Sequence, residues 1–203
     1  MSNGPLAYHI TFGTYGTRLH GDPRGTVDRT LNNPGDPIIG ADGGWQRIER
    51  SRLNFPPVVL SDELRRFADS IVPDLCEQGG WTFHACASRP DHVHVLLSTD
   101  REGKAVRSWL KRWLGEALCK RWPLPDGAGW WAKGGSVKWV WQDRYFHNVR
   151  KYILCQRRAN EERVEQSRLV SRRSATPGRG FTTGRAWALR GGEDSALRYR
   201  GAF

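Results

Sequence analysis

Two short strand-like runs that follow each other between two helices constrain the fold more than any other part of the sequence. Residues 81–87 and 92–99 alternate between apolar and polar positions, and only the polar residues 88–91 separate them. A connection this short favours an antiparallel hairpin. A helix that begins after Ser61 and ends at a glycine pair precedes the hairpin, and a second helix, at about residues 104–122, follows it.

The remaining regular elements complete a known order of strands and helices. Residues 7–15 alternate as a first strand, and residues 137–141 alternate as a last one. The order β-α-β-β-α-β predicts an α+β chain with a ferredoxin-like split βαβ sandwich, in which two helices cover one face of a four-stranded antiparallel sheet. A third helix, at about residues 145–167, is extra and can reach the open face or an edge.

Two segments lack this periodicity. Residues 16–60 are rich in glycine and proline, which favours a long functional loop or insertion after the first strand. Residues 168–203 hold many arginines and no lysine, which is typical of a mostly irregular basic tail. We therefore predict one domain over residues 1–167, followed by an Arg-rich tail over 168–203.

The charge of the chain favours a polyanionic partner. Its formal net charge is +11 at pH 7. Nucleic acid is the first candidate for such a basic protein, and an anionic membrane surface is the second. No apolar stretch approaches the ~18 residues of a membrane-spanning helix. The N-terminus lacks the pattern of a secretion signal, so a cytoplasmic protein is expected.

The sequence holds ten tryptophans, which can fill a core or stack on unpaired bases. Those on regular apolar patterns are expected in the core: Trp109, Trp113, Trp139 and Trp141. A packing role is less evident for Trp130 and Trp131, because both lie in a Gly-rich loop.

The predicted strand 92–99 carries the first chemical motif. Side chains alternate along a strand, so His92 and His94 point to one face while Val93 and Val95 point to the other. Two imidazoles about 7 Å apart along a strand can converge on one divalent metal. Taken alone, this motif more often marks a solvated or hydrogen-bonded histidine pair than a metal site.

The third helix carries the second motif. Tyr152 and Gln156 lie four positions apart and share a helical face. A tyrosine phenolate can attack a phosphodiester and form a phosphotyrosine link, while a metal polarises the phosphate oxygens. Two histidines and one amide oxygen leave positions open for a phosphate and water, and this ligand set tolerates Mg²⁺ or Mn²⁺.

In combination these motifs resemble the single-tyrosine HUH transposases of small insertion sequences, including the REP-associated tyrosine transposases. The resemblance covers roughly residues 7–160. The matching segments are Tyr8-His-Ile-Thr-Phe12, Pro90-Asp91 before His92-Val-His94, Trp141-Gln142 with Tyr145-Phe146, and Arg150-Lys-Tyr-Ile153 with Gln156.

This resemblance implies a metal-dependent single-strand DNA endonuclease and strand transferase. Tyr152 would be the nucleophile that forms a 5′-phosphotyrosine and frees a 3′-hydroxyl. His92 and His94 would bind the metal, with Gln156 as a third ligand. The substrate would be single-stranded DNA near an imperfect hairpin, such as a REP-like element or an insertion-sequence end.

Two features depart from the family's pattern. Gln156 is typical of the insertion-sequence branch, whereas the long segment 16–60 is not. Tyr152 follows Gln142 by only ten positions, which is shorter than usual in the family. A homodimer in which Tyr152 serves the site of a partner chain is therefore an open alternative to action in its own chain.

Several cations are candidate DNA contacts: Arg18, Arg24, Lys111, Arg144 and Arg150. Structural or surface roles are expected for the remaining histidines: His9, His20, His84 and His147. Two other functions compete with the nuclease. One is a protein that binds DNA or RNA hairpins without cutting them; the other is a rolling-circle initiator or relaxase, which the absence of helicase segments disfavours.

Overall fold

The computed structural model describes residues 4–26 and 40–174. These residues form four strands and four helices. The strands are β1 (Ala7–Gly13), β2 (Thr82–Ser88), β3 (His92–Ser98) and β4 (Ser136–Val140). The helices are α1 (Gly43–Ser51), α2 (Asp62–Gln78), α3 (Gly103–Arg121) and α4 (Asp143–Ser174).

The four strands form one antiparallel sheet in the order β2-β3-β1-β4. The predicted α+β class and four-stranded antiparallel sheet are therefore confirmed. β1 and β3 are the central strands, and their register pairs Thr11 with His94 and Gly13 with His92. His92 is thus the first residue of β3, and it lies at the end of the sheet where β1 ends.

One face of the sheet packs against α2 and α3. The even-numbered apolar residues of β1 and the odd-numbered ones of β3 point into this core, including the fully or almost fully buried Phe12, Val93 and Val95. Leu110 and Leu114 of α3 are also fully buried in it. Strict alternation therefore leaves the other residues of β3, His92 and His94 among them, on the opposite face.

α4 covers this opposite face. Val149 and Ile153 of α4 are buried there against a second, smaller apolar cluster of the sheet. The sheet contributes small or short side chains at these positions: Ala7, Ala85, Ala87, Leu96 and Val140. Alanines allow the helix to approach the sheet closely. The extra helix thus takes the open face, one of the two places that the sequence left possible.

α1 corrects one prediction, because residues 43–51 are helical within a segment expected to lack regular structure. Asp42 caps α1, and its side chain accepts hydrogen bonds from the backbone amides of Gly44 and Trp45. No residue of α1 is buried, and only Trp45 and Ile48 mark its apolar side in a short run of nine residues. The rest of the predicted insertion includes residues 27–39, which lie outside the described residues.

The tryptophans correct several further expectations. Trp139 and Trp141, expected in the core, are 59% and 53% exposed; Trp139 lies on the edge strand β4 and Trp141 directly after it. Trp109 is 38% exposed. Trp130, by contrast, is buried, and Trp131 packs edge-on against Phe12. The Gly-rich loop before β4 thus supplies core residues that the apolar pattern did not reveal.

α4 is longer than predicted and continues to Ser174. The other residues of the predicted Arg-rich tail, 175–203, lie outside the described part of the chain. Among the helices of the described part, none is long and apolar enough to cross a membrane.

Ile153 is expected to contribute strongly to stability, since it is fully buried between α4 and the sheet. Ile153→Ala should lower the free energy of unfolding by about 2–5 kcal/mol, as measured by urea denaturation. Lys151→Ala, at an exposed neighbouring position, is the matched control and should change it by less than about 0.5 kcal/mol. Equal effects of the two variants would show that α4 does not dock on the sheet through Ile153.

Candidate active site

The two histidines of β3 meet at their outer ring nitrogens. His92 Nε2 and His94 Nε2 are 3.0 Å apart, and the two rings are almost perpendicular, at 86°. His94 is only 7% exposed, whereas His92 lies nearer the end of the strand and is partly exposed. The alternation predicted from the sequence therefore brings both imidazoles together on the face that α4 covers.

Asp91 fixes the protonation of His92. The distance between His92 Nδ1 and Asp91 Oδ1 is 2.6 Å. The hydrogen bond from His92, together with the nearby charges of Arg24 and Arg18, holds the pKa of the Asp91 carboxyl well below its ordinary value. An ionised carboxylate only accepts hydrogen bonds, so Nδ1 of His92 donates. In the tautomer that binds a metal, Nε2 then carries a lone pair directed towards His94.

His94 is held neutral by its surroundings. Its Nδ1 lies 2.9 Å from Thr11 Oγ1 and 3.2 Å from His9 Nε2. Burial lowers the pKa of His94 to about 3, and the neighbouring His92, His9 and Arg89 contribute in the same direction. Burial, and then Lys138, likewise lowers the pKa of His9 to about 4. A neutral imidazole is the form that binds metals.

The pair has the geometry of two adjacent metal ligands. Two ring nitrogens that each lie ~2.1 Å from an ion and subtend a right angle are about 3.0 Å apart, the separation seen here. When Thr11 Oγ1 accepts from Nδ1 of His94, both Nε2 atoms offer lone pairs to the same point. A proton on Nε2 of His94 would satisfy the pair equally in the absence of a metal.

A complete metal centre needs a ligand beyond these two histidines. Within residues 4–26 and 40–174, no group of three or more His, Cys, Asp and Glu side chains is arranged to hold an ion. An amide oxygen is another type of protein ligand for such ions, and Gln156 is the residue that the sequence suggested. Its side chain is half-buried, and the described contacts do not join it to either histidine. Its backbone carbonyl accepts a hydrogen bond of 3.5 Å from Arg89.

Tyr152 lies against His94. The ring centroids are 5.5 Å apart and the rings meet edge to face at 79°. Tyr152 is 47% exposed, because it lies at the border of the face that α4 buries through Val149 and Ile153. The packing of α4 therefore holds a solvent-accessible phenol beside the histidine pair of its own chain.

An ion-pair network of Arg18, Arg24, Asp22 and Asp91 contacts His92 through Asp91. Arg24 forms ion pairs with both Asp22 and Asp91, and Arg18 Nε lies 3.6 Å from Asp91 Oδ2. The hydrogen bond from Arg24 lowers the pKa of Asp22 to about 2, and the hydrogen bond to Asp22 raises the pKa of Arg24. The two arginines predicted as DNA contacts thus also orient Asp91, and through it His92.

The other predicted DNA contacts have different surroundings. Lys111 donates to the carbonyl oxygens of Ala132 and Gly134, at 2.6 and 2.9 Å, so it secures the Gly-rich loop. Burial, and then Arg107, lowers the pKa of Lys111. Arg144 and Arg150 are exposed on α4. Their roles as DNA contacts remain predictions.

Sequence reasoning missed three contributors to the site. Asp91 and Thr11 were not proposed as functional residues, and His9 was expected to be structural. Asp91 immediately precedes His92, and Thr11 becomes recognisable only when β1 is paired with β3 in the correct register. The structural roles expected of two other histidines agree with their contacts: His20 stacks on Trp45, and His84 hydrogen-bonds to Ser98.

Five chains among the solved structures match this chain significantly. No protein-family model matches the chain, and no curated protein matches it significantly. The chain is similar in structure to a "putative transposase" from Deinococcus radiodurans R1, at 20% sequence identity and a TM-score of 0.44, over 75% of this chain and 91% of that chain.

The buried, neutral histidines predict a pH dependence of stability in metal-free protein. In the unfolded chain both histidines bind protons below about pH 6.5. In the folded protein burial lowers the pKa of His94 to about 3 and that of His9 to about 4, so both stay neutral to lower pH. The free energy of unfolding should therefore fall as the pH is lowered from 6.5 towards 4, by up to about 1.4 kcal/mol per pH unit for each histidine. Urea denaturation at a series of pH values measures this free energy of unfolding.

His94→Gln tests the origin of this dependence. The variant should flatten the curve between pH 6.5 and 5 by the contribution of one histidine, because glutamine does not titrate. A curve as steep as that of the wild type would show that His94 is not the source.

Proposed function

We propose that this protein is a metal-dependent endonuclease and strand transferase for single-stranded DNA, a transposase that acts near hairpins through a 5′-phosphotyrosine intermediate. Its fold is a ferredoxin-like split βαβ sandwich with a nucleophile helix added on the open face. One observation carries the proposal: His92 Nε2 and His94 Nε2 converge to 3.0 Å beside the ring of Tyr152.

Tyr152 is the proposed nucleophile. Its phenol oxygen attacks the phosphorus of a DNA phosphodiester, so a bond forms between Tyr152 Oη and phosphorus while the bond to the 3′-oxygen breaks. The phenol gives its proton to solvent, and the departing 3′-oxygen takes one up as a hydroxyl. The link to phosphorus is an ester like the one it replaces, so the reverse attack by another 3′-hydroxyl joins two strands without an external energy source.

His92 and His94, with Gln156 as the proposed third ligand, would hold Mg²⁺ or Mn²⁺. Bound there, the ion supplies Lewis-acid stabilisation of the charge that develops on the phosphate oxygens. The donor set fits the ion: burial holds His94 neutral, and the Nε2 atoms of the two imidazoles have the spacing of adjacent ligands. Mn²⁺ suits two imidazoles better than Mg²⁺ does. Asp91 and Thr11 hold the rings in this orientation through Nδ1.

The phenol of Tyr152 serves the site of its own chain in this proposal. α4 begins at Asp143, directly after β4, and folds back over the face that carries the histidines. The short interval between Gln142 and Tyr152 is sufficient for this path, because the approach is itself helical. Exchange of α4 between two chains is not needed to complete the site.

Single-stranded DNA suits the site better than duplex DNA. The phenol is half-exposed at the border between a helix and the sheet, and a flexible strand can bend to bring its phosphate there. The formal charge of +11 favours binding of such a strand. Two parts of the proposal rest on the resemblance to single-tyrosine HUH transposases alone: that the substrate contains a hairpin, and that the hairpin lies beside the cleaved bond.

Asp91→Asn is expected to weaken metal binding about 10–100-fold, because the variant no longer forces His92 Nδ1 to donate and Nε2 to bind the ion. Calorimetric titration with Mn²⁺ measures the affinity. Asp100→Asn, at an exposed position after β3, removes the same charge and should leave the affinity unchanged. Equal losses in both variants would show that Asp91 acts only through net charge.

Tyr152→Phe is expected to abolish the covalent protein–DNA adduct, because it removes the attacking oxygen. The assay incubates the protein with a hairpin-containing single strand and Mn²⁺, and detects the adduct on a denaturing gel. Tyr145→Phe, two helical turns earlier on α4 and also exposed, is the matched control and should retain the adduct. An adduct with Tyr152→Phe, or none with the wild type, contradicts the proposal.

A wild type that binds the hairpin strand tightly with and without metal but forms no adduct would support the alternative function. The protein would then be a hairpin-binding relative of a transposase that does not cut.

A further inference from the structure

A cavity of about 500 Å³ opens beside His92. Four parts of the chain line it: the loop after β1, helix α1, the segment before α2, and the turn between β2 and β3. Four arginines supply most of its charge: Arg18, Arg24, Arg50 and Arg89. The cavity therefore joins the end of the histidine strand to the part of the chain that the sequence marks as an insertion.

Backbone hydrogen bonds build the walls of this cavity. Val58 N donates to Tyr15 O, and Leu60 N donates to Pro90 O, both at 2.8 Å. The segment before α2 is thereby fixed between the loop after β1 and the turn before β3. Gly16, at φ +69°, permits this approach, because a Cβ there would lie 3.2 Å from Pro57 Cα. These contacts tie together three of the segments that line the cavity.

The arginines of the cavity differ in how far they are neutralised. Arg24 is bound by the carboxylates of Asp22 and Asp91, and Arg18 lies near Asp91. Arg50 is exposed at the end of α1, and the described residues place no carboxylate within ion-pair distance of it. The lining therefore keeps a surplus of positive charge, concentrated on the wall that α1 contributes.

Another part of the lining of the cavity is apolar. Pro57, Val59 and Pro90 contribute to it, and Val59 is 62% exposed. A cavity lined by both guanidinium groups and aliphatic carbon suits a ligand that has a phosphate and a less polar ring. Guanidinium groups bind phosphate oxygens in a bidentate manner, and a volume of this size is typical of sites for small organic ligands.

We propose that this cavity binds one nucleotide of the single-stranded DNA substrate, next to the phosphodiester that Tyr152 attacks, an inference that rests on the proposed function. The phosphate of this nucleotide lies on Arg18 and Arg50, and its sugar contacts Pro57 and Val59. A single strand enters such a cavity more readily than a duplex, because a duplex must first unpair and unstack the nucleotide. The segment around α1 is then a substrate-binding element.

Arg50→Ala tests the cavity, and Arg47→Ala on the same helix is the matched control, because Arg47 is also exposed but does not line the cavity. The full-length proteins are titrated in EDTA with a fluorescent oligothymidylate of about 12 nucleotides at several salt concentrations. Arg50→Ala should bind roughly 3–10-fold more weakly and lower the slope of log K against log salt by about 0.7, the value for one lost phosphate contact in a single strand. Arg47→Ala should match the wild type.

A duplex of the same length supplies the second arm. Arg50→Ala and Arg47→Ala should bind it equally, since paired DNA does not enter the cavity. A loss with the duplex as large as that with the single strand, or an unchanged salt slope with the single strand, overturns the proposal. Thermal unfolding of both variants confirms that they are folded.

Binding in EDTA needs no cleavage, so the two proposals fail separately. If the adduct assay fails while Arg50→Ala still weakens single-strand binding selectively, the nuclease proposal falls and the nucleotide cavity stands. If the adduct forms but Arg50→Ala behaves like Arg47→Ala, the cavity proposal falls alone.

Discussion

The register between β1 and β3 is the constraint on which the rest of the structure depends. It pairs Thr11 with His94 and directs both to the face under α4, while Phe12 and Val93 enter the core under α2 and α3. A shift of β3 by one residue would turn the histidines into the apolar core and the valines out of it. Burial of Val93 and Val95 thus fixes the direction of His92 and His94 without any contact to a ligand.

The electrostatics of the site follow from this placement. His94 lies deep in the sheet, where burial keeps it neutral, and His92 lies at the strand end, where Asp91 can reach it. Asp91 is in turn kept ionised beside Arg24, which belongs to the loop that leaves β1. The loop after β1 therefore participates in the chemistry of β3, although 67 positions separate Arg24 from Asp91.

Sequence patterns predicted what depends on local repetition and missed what depends on tertiary contact. Alternation and helical stripes were sufficient for the four strands, for α2 to α4, and for the common face of His92 and His94. They failed for α1, which buries no residue. They also failed for Trp139 and Trp141, which follow a regular alternation along and just after β4 but are exposed at the edge of the sheet. The contact of Tyr152 with His94 depends on where α4 docks. The sequence did not decide between the open face of the sheet and one of its edges.

α4 links stability to the proposed chemistry, because one helix both seals the sheet and carries the phenol. Val149 and Ile153 are buried against the alanines of β2, and Tyr152 lies beside them at the border with solvent. The small side chains of β2 let the helix approach closely enough for the Tyr152 ring to contact His94. A larger residue at Ala85 or Ala87 would lift the helix and with it the phenol, so packing on this face determines whether Tyr152 contacts the histidines.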